Sequence, residues 1–467
     1  MWDFTRFGDR PALIDAQDCV YSYRQLAEEG DRLADAVGGR CLTMVLCTNT
    51  PGSVLGYTAF LEHGIVPILA AAELDRTLLE QLLEHYRPDY LWAPEKSGLA
   101  GERVYTAWGY DLIKTAWTRA YPLYDELALL LTTSGSTGSP KLVRQSYANL
   151  RANTASIVEY LHLDETERPI TTLPMNYTYG LSILNTHLFV GASIILTEAS
   201  ILQKEFWQAF RTHGATSFGG VPYTYEMLDK LRFLRMELPT LRTMTQAGGK
   251  LSVELHKKFA EYAHTTGRSF VVMYGQTEAT ARMAYLPPEK AIEKCGSMGV
   301  AIPGGRFRLI DVNGEPVTEP NVTGELVYEG ENVTLGYAES GADLIRGDER
   351  GGVLVTGDMA KTDADGYYYI VGRKKRFLKM FGSRVNLDET ERLVRAAFPQ
   401  TDCACGGVDD RMFVFLTDGG EQDAVKKYLS DTLHLHPSAF HMVTLDAIPR
   451  NDAGKTLYGA LTSYYEA

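Results

Sequence analysis

Cysteine is scarce in this sequence, with six residues in a chain of 467. That density is too low for the disulfide framework that stabilises small secreted domains. Cys403 and Cys405 have C-x-C spacing, but no second cysteine pair or nearby histidine completes a metal site. His434 and His436 lack the H-E-x-x-H spacing of a zinc site. We therefore expect ordinary core or surface thiols and no zinc.

Long apolar runs and concentrated positive charge are also missing. No segment approaches the roughly 18 consecutive apolar residues of a transmembrane helix, and the N-terminal stretch MWDFTRFGDRPALID has no signal-peptide core. The net charge is -13 and no long Lys/Arg run offsets it, which argues against a general nucleic-acid-binding protein. We expect a cytoplasmic protein with no membrane span and no nucleic-acid partner.

The first 125 residues predict strands that alternate with helices. Residues 12–15 and 20–23 are typical of a hairpin, and residues 23–37 have a helical apolar period that ends at two glycines. Further on, the pattern predicts strands at 42–47 and 65–71 and a helix at 53–63. Such alternation indicates a parallel sheet with helices on both faces.

A hydroxyl-rich glycine loop lies within residues 129–149, LLLTTSGSTGSPKLVRQSYAN, directly after a predicted strand at 127–131. Glycines let backbone N–H groups approach an anion, hydroxyls add donors and Lys141 adds a full charge, so the loop is suited to phosphate. It is neither a Walker A motif nor a nucleophile elbow. A flexible Ser/Gly linker is the alternative, but linkers seldom follow a buried strand and end in Pro-Lys.

Four further motifs follow in order: YGQTE at 274–278, GEL at 324–326 with GY at 336–337, TGD at 356–358 with GR at 372–373, and PRNDAGK at 449–455. Together with the glycine loop, they resemble the signature of the adenylate-forming superfamily, which contains acyl-CoA synthetases, luciferases and the adenylation domains of nonribosomal peptide synthesis. One departure is Leu142, where relatives usually have glycine after the loop lysine.

The resemblance and the change in pattern along the chain predict mixed α/β and α+β architecture. A large N-terminal AMP-binding domain, residues 1–373, would contain two α/β subdomains and a β-rich lobe at about 296–370, where short strands and turns dominate. A small mobile α+β domain, residues 374–467, would follow and carry a catalytic lysine. A chain of this length is also expected to divide into at least two domains.

The resemblance further implies an ATP-dependent acid:thiol ligase that uses Mg²⁺. A small carboxylic acid, acyl or aryl, would condense with ATP to acyl-AMP and pyrophosphate. A thiol of CoA, or of the phosphopantetheine on an acyl or peptidyl carrier protein, would then displace AMP. Because the first step brings two anions together, catalysis requires charge neutralisation and positioning.

Site residues are implied by the same resemblance. Lys455, Lys141 and Glu278 would be catalytic, with Lys455 between the carboxylate and the α-phosphate. Glu278 is a hard oxygen donor suited to Mg²⁺, and Thr137 would share that role. Asp358 would bind ribose and Arg373 would support the nucleotide. The remaining nucleotide-binding residues would be Thr133, Ser134, Gly135, Ser136, Thr137, Gly138, Tyr274, Gly275, Gln276 and Thr277.

The acid pocket and the hinge are implied in the same way. Tyr177 would line the boundary between nucleotide and acid, although a core tyrosine is an equal alternative. Gly219, Gly248 and Gly249 would form pocket walls, or simply tight turns. Lys375, two residues after the Gly-Arg pair, would be the pivot between adenylating and thiolating poses, with Gly382 near the thiol tunnel.

Two other functions remain open at this point. An amino-acid-adenylating enzyme usually presents an Asp near position 177 for the substrate ammonium, and residues 176–179, NYTY, offer none. A non-catalytic relative would have lost residues such as Lys141, Glu278, Asp358 or Lys455, and all are present. The sequence leaves open the acid, the acceptor and the oligomeric state.

Overall fold

The computed structural model describes residues 1–117, 121–132, 141–381, 383–450 and 456–466. The chain forms two compact units, of which the first comprises Met1–Arg306 and Tyr328–Leu354 and the second comprises Phe307–Val327 and Val355–Ala467. The predicted boundary after residue 373 concerns a mobile domain and stays a prediction.

The N-terminal part of the first unit alternates strands and helices as the sequence predicts. Helix α1 begins after Ser22, whose side chain accepts a hydrogen bond from the Gln25 backbone N–H, and ends at Gly38, whose φ of 84° favours glycine. The elements are β1 (Pro11–Ile14), β2 (Val20–Ser22), α1 (Tyr23–Val37), β3 (Leu42–Cys47), α2 (Pro51–Glu62), β4 (Val66–Ala71), α3 (Arg76–Tyr86), β5 (Tyr90–Pro94), β6 (Glu102–Ala107), β7 (Tyr110–Lys114), β8 (Leu127–Thr132) and β9 (Leu142–Ser146).

The middle of the chain continues this unit with a second series of helices and strands. They are α4 (Tyr147–Leu161), α5 (Thr178–Val190), β10 (Ile194–Ile195), α6 (Lys204–Thr212), β11 (Ser217–Gly220), α7 (Pro222–Lys230), β12 (Thr243–Gln246), α8 (Val253–Thr266), β13 (Ser269–Tyr274), β14 (Ala284–Tyr285) and β15 (Val300–Ala301).

Short strands dominate the next region, as predicted for a β-rich lobe. They are β16 (Arg306–Ile310), β17 (Pro316–Val317), β18 (Gly324–Glu329), β19 (Gly336–Ala338), β20 (Val353–Thr362) and β21 (Tyr368–Arg373). The C-terminal elements are β22 (Phe377–Met380), β23 (Ser383–Asn386), α9 (Leu387–Ala397), β24 (Cys403–Val408), β25 (Arg411–Leu416), α10 (Gln422–Leu433) and β26 (Phe440–Thr444).

The largest sheet is mixed, where the sequence predicts a parallel one. Its strand order is β19-β9-β8-β4-β3-β5-β7-β6, and only β8, β4, β3 and β5 are mutually parallel. The edges are antiparallel because β9 follows β8 through a short loop and β7 returns beside β5, without crossover helices. Consecutive residues of the parallel strands, such as Met44 and Val45, belong to different hydrophobic clusters, one on each face of the sheet.

A second sheet, β11-β12-β13-β14-β15, positions the candidate site. Strands β11, β12 and β13 are parallel and in register, with Gly219 opposite Thr245 and Thr245 opposite Val271. The loops after their carboxyl ends therefore meet at one edge of the sheet, which is where ligands bind in open α/β sheets. A small third sheet has the order β10-β1-β2.

The second unit has the α+β composition that the sequence predicts. Most of a five-stranded sheet, β17-β16-β18-β20-β21, lies in it, together with the β22-β23 hairpin and the sheet β24-β25-β26. Helix α9 begins after Asn386, whose side chain accepts from the backbone N–H groups of Asp388 and Glu389. The Glu389 side chain pairs with Arg392 on the same helix.

Candidate active site

Glu278 lies in the turn that follows β13, and a distant segment holds it in place. The Tyr337 hydroxyl donates a hydrogen bond to Glu278 Oε1 at 2.7 Å. The Glu278 carbonyl accepts from the Thr334 backbone N–H at 3.0 Å and from Arg350 Nη1 at 2.9 Å. Both the main chain and the carboxylate are therefore fixed at the ligand-binding edge of the sheet.

Tyr337 joins Glu278 to Lys141. The Lys141 ammonium lies 3.9 Å from the centroid of the Tyr337 ring, and the Arg350 guanidinium carbon lies 4.7 Å from it. Burial, with the nearby charge of Glu278, raises the pKa of Tyr337 to about 12, so the hydroxyl stays a donor near neutral pH. The structure thus brings together Lys141 and Glu278, two residues predicted to be catalytic. They meet at Tyr337, a residue of the GY motif to which the sequence assigns no role.

Arg144 anchors the segment that carries Tyr337. Its side chain is fully buried, and its guanidinium donates to the carbonyl oxygens of Leu335, Tyr337, Arg346 and Gly347 and pairs with the Glu349 carboxylate. The sequence gives one local signal for it, a charged residue within the otherwise buried strand β9. Its partners, about 200 positions away, cannot be read from spacing.

The YGQTE turn needs its glycine. A Cβ at Gly275 would lie 1.7 Å from the Ala281 carbonyl oxygen, so no other residue fits without moving the backbone. Gln276 Nε2 donates to the Tyr274 hydroxyl at 3.2 Å, and Thr277 begins the turn that contains Glu278. The predicted nucleotide-binding residues 274–277 therefore form one tight loop beside Glu278.

Three of the four predicted pocket residues lie close to one another. Tyr177 precedes the first turn of α5, and its hydroxyl lies 2.7 Å from where a Cβ of Gly248 would be. Gly248 has a φ of 82°, and a Cβ at Gly249 would lie 3.1 Å from Pro222 at the start of α7. Gly219 faces different side chains from those at Gly248. A Cβ at Gly219 would lie 3.0 Å from the Tyr179 hydroxyl and 3.0 Å from Ile183.

In the second unit, Asp358 and Arg373 are cross-strand neighbours on β20 and β21. Arg373 Nε lies 3.6 Å from Asp358 Oδ1, and the carboxylate is largely buried whereas the arginine is exposed. Lys374 Nζ pairs with Glu325 at 2.7 Å, and Lys375 lies in the short turn Lys374–Arg376. The predicted ribose and nucleotide ligands thus adjoin the predicted hinge along the chain.

Several predicted residues lie outside the described ranges. These are Thr133, Ser134, Gly135, Ser136, Thr137, Gly138, Gly382 and Lys455, and of Lys375 only the backbone is described. The ends of the glycine loop are nevertheless defined, because Thr132 and Leu142 are paired residues of β8 and β9. The loop therefore leaves and re-enters the sheet at neighbouring positions, with Lys141 immediately before β9.

Two further observations concern only the described ranges. No cluster of three or more His, Cys, Asp or Glu side chains there is arranged to hold a metal ion, and Cys403 and Cys405 are buried with free thiols. Among the same residues, no helix has both the length and the apolar character that crossing a membrane requires. A single carboxylate can still serve Mg²⁺ that is also bound by substrate phosphates.

The parallel strands, the loop closed by Lys141 and the fixed Glu278 define an α/β nucleotide-binding enzyme. The family model described as AMP-binding enzyme matches residues 2–338, well over half of the chain. The chain belongs to this family of AMP-binding enzymes, and the prediction of an AMP-forming enzyme is thereby confirmed.

Known relatives and structures agree with this assignment. A feruloyl-CoA synthase from Amycolatopsis sp. is 28% identical over 348 residues, which cover 72% of this chain and 69% of the relative. A 2-succinylbenzoate–CoA ligase from Bacillus pumilus (strain SAFR-032) is 26% identical over 470 residues, covering 96% of this chain and 93% of that enzyme. The solved O-succinylbenzoate coenzyme A synthetase from Bacillus subtilis, in complex with ATP and magnesium ion, has a TM-score of 0.79 at 21% identity and covers 98% of each chain. This last likeness confirms the predicted fold class.

Proposed function

We propose that this protein is an ATP- and Mg²⁺-dependent acid:thiol ligase that activates an acyl or aryl carboxylic acid as acyl-AMP. The observation that carries the proposal is the junction of Lys141 and Glu278 through Tyr337 at the carboxyl edge of the second sheet. A cation and a carboxylate held there suit a triphosphate and its metal ion, respectively.

Different residues would neutralise the phosphates and bind the metal ion. Lys141, with Thr133 to Gly138 before it, would neutralise the β- and γ-phosphates. Glu278 offers a hard oxygen for Mg²⁺, because its Oε1 is oriented by Tyr337 while Oε2 has no hydrogen-bond partner among the described residues. Bound Mg²⁺ would supply charge neutralisation on the phosphates. Asp358 and Arg373 would bind the ribose and support the nucleotide.

The bond changes follow from these roles. An oxygen of the substrate carboxylate attacks the α-phosphorus, the bond to the bridging oxygen breaks, and pyrophosphate leaves with that electron pair. Lys455 would stand between the two anions during this step. In the second step a thiol attacks the acyl carbon, loses its proton, and AMP leaves. We propose CoA as the thiol, since the relatives described above are named as CoA enzymes; a carrier-protein phosphopantetheine is the other acceptor that fits.

The proposal is tested by following both products. With ATP, Mg²⁺, CoA and a panel of acids, we expect pyrophosphate release that depends on the acid, together with an acyl-CoA detected by mass spectrometry. Replacing CoA by a pantetheinylated carrier protein distinguishes the acceptors. Pyrophosphate release that is equal with and without acid would contradict the proposal.

Lys455→Ala should separate the two half-reactions. Its charge is needed only while acid and α-phosphate combine, so we expect acyl-AMP formation to fall by about 100-fold or more. Conversion of chemically supplied acyl-AMP to the thioester should stay near the wild-type rate. An equal loss in both half-reactions would place Lys455 in another role.

A further inference from the structure

Arg282 is a buried cation that has no acidic partner among the described residues of the first unit. Its residue is 3% exposed, and it lies four positions after Glu278. Its main chain is fixed: the Arg282 carbonyl accepts from the side-chain amides of Asn153 and Asn332, each at 2.9 Å. The side chain therefore projects from a rigid backbone, and its direction is set by the fold.

The surroundings of the guanidinium are aromatic and not acidic. Its carbon lies 3.9 Å from the centroid of the Tyr179 ring. Burial raises the pKa of the Tyr160 hydroxyl, and the positive charge of Arg282 and a hydrogen bond from its side chain oppose that rise. In the part of the chain that the structure describes, no Asp or Glu forms an ion pair with Arg282. A buried charge without a partner is costly, so its retention calls for a counter-ion.

Arg144 shows how this chain satisfies a buried arginine that only supports the fold. Its guanidinium donates to four carbonyl oxygens and a carboxylate. Arg282 has no such set of acceptors within the described residues. Since both guanidinium groups have the same five N–H donors, the difference lies in what surrounds them.

Arg282 lines a cavity between helices α4 and α5 and the strands β11, β12 and β13. The cavity contains about 440 Å³ of empty space, part of it open to solvent. Its walls are mainly apolar, and include Ile157, Leu161, Leu163, Ile183, Phe218 and Met273. The enclosed part is about 30 Å³, so a ligand would extend from the open side, and the apolar walls suit its carbon skeleton.

A buried ring nitrogen without a partner among the described residues lines the same cavity. His187 is 4% exposed, and its Nδ1 donates to the Ile183 carbonyl at 2.8 Å. Burial lowers the pKa of His187, so the ring is neutral and Nε2 carries a lone pair, which is buried without a partner among the described residues. A buried guanidinium without a carboxylate and an unsatisfied ring nitrogen in one apolar cavity indicate a ligand with a polar end.

The cavity adjoins the region where the reacting carboxylate is placed. Tyr179 and Gly219 line it, and Tyr179 lies two residues after Tyr177, with ring centroids 6.3 Å apart. The family resemblance implies that Tyr177 lines the boundary between nucleotide and acid, and Gly248 lies against its hydroxyl. A ligand that begins at Tyr177 and extends past Tyr179 reaches the Arg282 guanidinium.

We propose that the acid activated by this enzyme carries a second anionic group, a carboxylate, which pairs with Arg282 inside the cavity. The inference rests on the proposed function and names its substrate class: a dicarboxylic acid whose two carboxylates are joined by an apolar linker. Arg282 selects the acid by supplying a planar fork of N–H donors that a carboxylate fits bidentately. An acid with an apolar distal end leaves the charge buried and unpaired.

The test uses matched pairs of ligands, each a dicarboxylic acid and its monomethyl ester, in ATP–pyrophosphate exchange. The wild type should favour the best diacid over its ester by about 100-fold or more in kcat/KM. Arg282→Met should abolish that preference by losing diacid turnover while ester turnover persists, and Arg282→Lys should restore part of it. A wild type that uses esters as well as diacids, or an Arg282→Met enzyme that keeps the preference, would overturn the inference.

Calorimetric binding separates this inference from the proposed function. If neither diacids nor monoesters support ATP–pyrophosphate exchange, ligase activity is contradicted. Tight binding of a diacid to the wild type that is lost in Arg282→Met would still support the role of Arg282. Equal binding of diacid and ester to the wild type would overturn it.

Arg268→Met is a matched control for loss of an arginine stacked on a tyrosine. Arg268 lies 5.3 Å from the Tyr262 ring centroid and donates to the carbonyls of Leu238 and Leu241. We expect this control to lower the Tm and to keep the diacid preference. Arg282→Met should do the opposite, keeping or raising the Tm of the ligand-free enzyme. A comparable fall in Tm for both variants would indicate that Arg282 only supports the fold.

Discussion

Two buried charges, one in each unit, have opposite surroundings. Glu391 in the second unit is 4% exposed, and its carboxylate accepts hydrogen bonds from Arg376, from the Cys405 backbone N–H at 2.8 Å and from the Tyr458 hydroxyl at 3.0 Å. Arg395 adds a second guanidinium at 3.5 Å. Arg282 in the first unit is equally buried, yet has a tyrosine face and a cavity beside it.

The difference indicates what each charge is for. A carboxylate surrounded by its own partners fixes α9 to β24 and has no capacity left for a ligand. A guanidinium without a carboxylate contributes nothing comparable to the fold, and it keeps donors available beyond the one that meets the Tyr160 hydroxyl. Glu278 lies between these extremes, because Tyr337 donates to one of its oxygens and the other has no partner in the part of the chain that the structure describes.

Among the variants that test this comparison, Glu391→Ala should have the largest effect, which is on the stability of the second unit. Removing the carboxylate leaves Arg376 only the more exposed Asp388, and leaves Arg395 only the more exposed Asp402, so we expect a loss of about 3 kcal/mol in the stability of the second unit. Hydrogen exchange of α9 and β24 measures it. All five tryptophans, Trp2, Trp92, Trp108, Trp117 and Trp207, lie in the first unit, so tryptophan fluorescence in urea should change little.

The control for that variant is Glu389→Ala on the same helix. The Glu389 side chain is 45% exposed and pairs with Arg392 one turn away. A surface pair of this kind is worth at most about 1 kcal/mol. If both variants destabilised the second unit equally, the Glu391 network would not have the role described.

Glu278→Ala should reduce activity and leave stability nearly intact. It removes the oxygen that we propose binds Mg²⁺, and a contact of this kind is worth about 3 kcal/mol, or about 100-fold in kcat for pyrophosphate exchange. Raising the Mg²⁺ concentration should recover part of the loss. Glu331→Ala, which removes an exposed carboxylate of the same unit, should behave as wild type; wild-type exchange by Glu278→Ala would remove Glu278 from the catalytic set.

Tyr337→Phe should have the smallest effect of the three. The ring beneath Lys141 remains, while the hydrogen bond to the Glu278 carboxylate is lost, at a cost of about 1.5 kcal/mol. We expect roughly a 10-fold fall in exchange, with an increased requirement for Mg²⁺. Tyr57→Phe also loses a buried hydroxyl contact, to Asn185 at 2.8 Å, and should lower the Tm without changing the Mg²⁺ requirement.

The sequence predicts well those features that depend on local pattern. Helix α1 and strand β3 have the predicted limits, because apolar periodicity and end signals agree there. The antiparallel edges of the large sheet escape prediction, since a buried strand has the same composition whether its neighbour runs parallel or not. The loop residues 133–138 and Lys455 remain predictions, because they lie outside the described ranges.

The remaining features of the site could not be predicted from the sequence, because they depend on contacts between residues that are far apart along the chain. Tyr337 and Glu278 are 59 positions apart, and no spacing rule connects them. Arg282 belongs to the stretch that follows YGQTE, but its lack of a counter-ion becomes visible only when α4, α5 and β13 are placed around it. Gly219 was expected in a wall of the acid pocket, and its position faces Tyr179 and Ile183.

The central claim is that the first unit assembles a site where an acid and ATP react, and isotope exchange between pyrophosphate and ATP measures that reaction directly. The wild type, with Mg²⁺ and a dicarboxylic acid, should incorporate labelled pyrophosphate into ATP only when the acid is added, and Lys141→Ala should lose at least about 100-fold of this exchange. Exchange that proceeds without any acid, or that is unchanged in Lys141→Ala, would contradict the account.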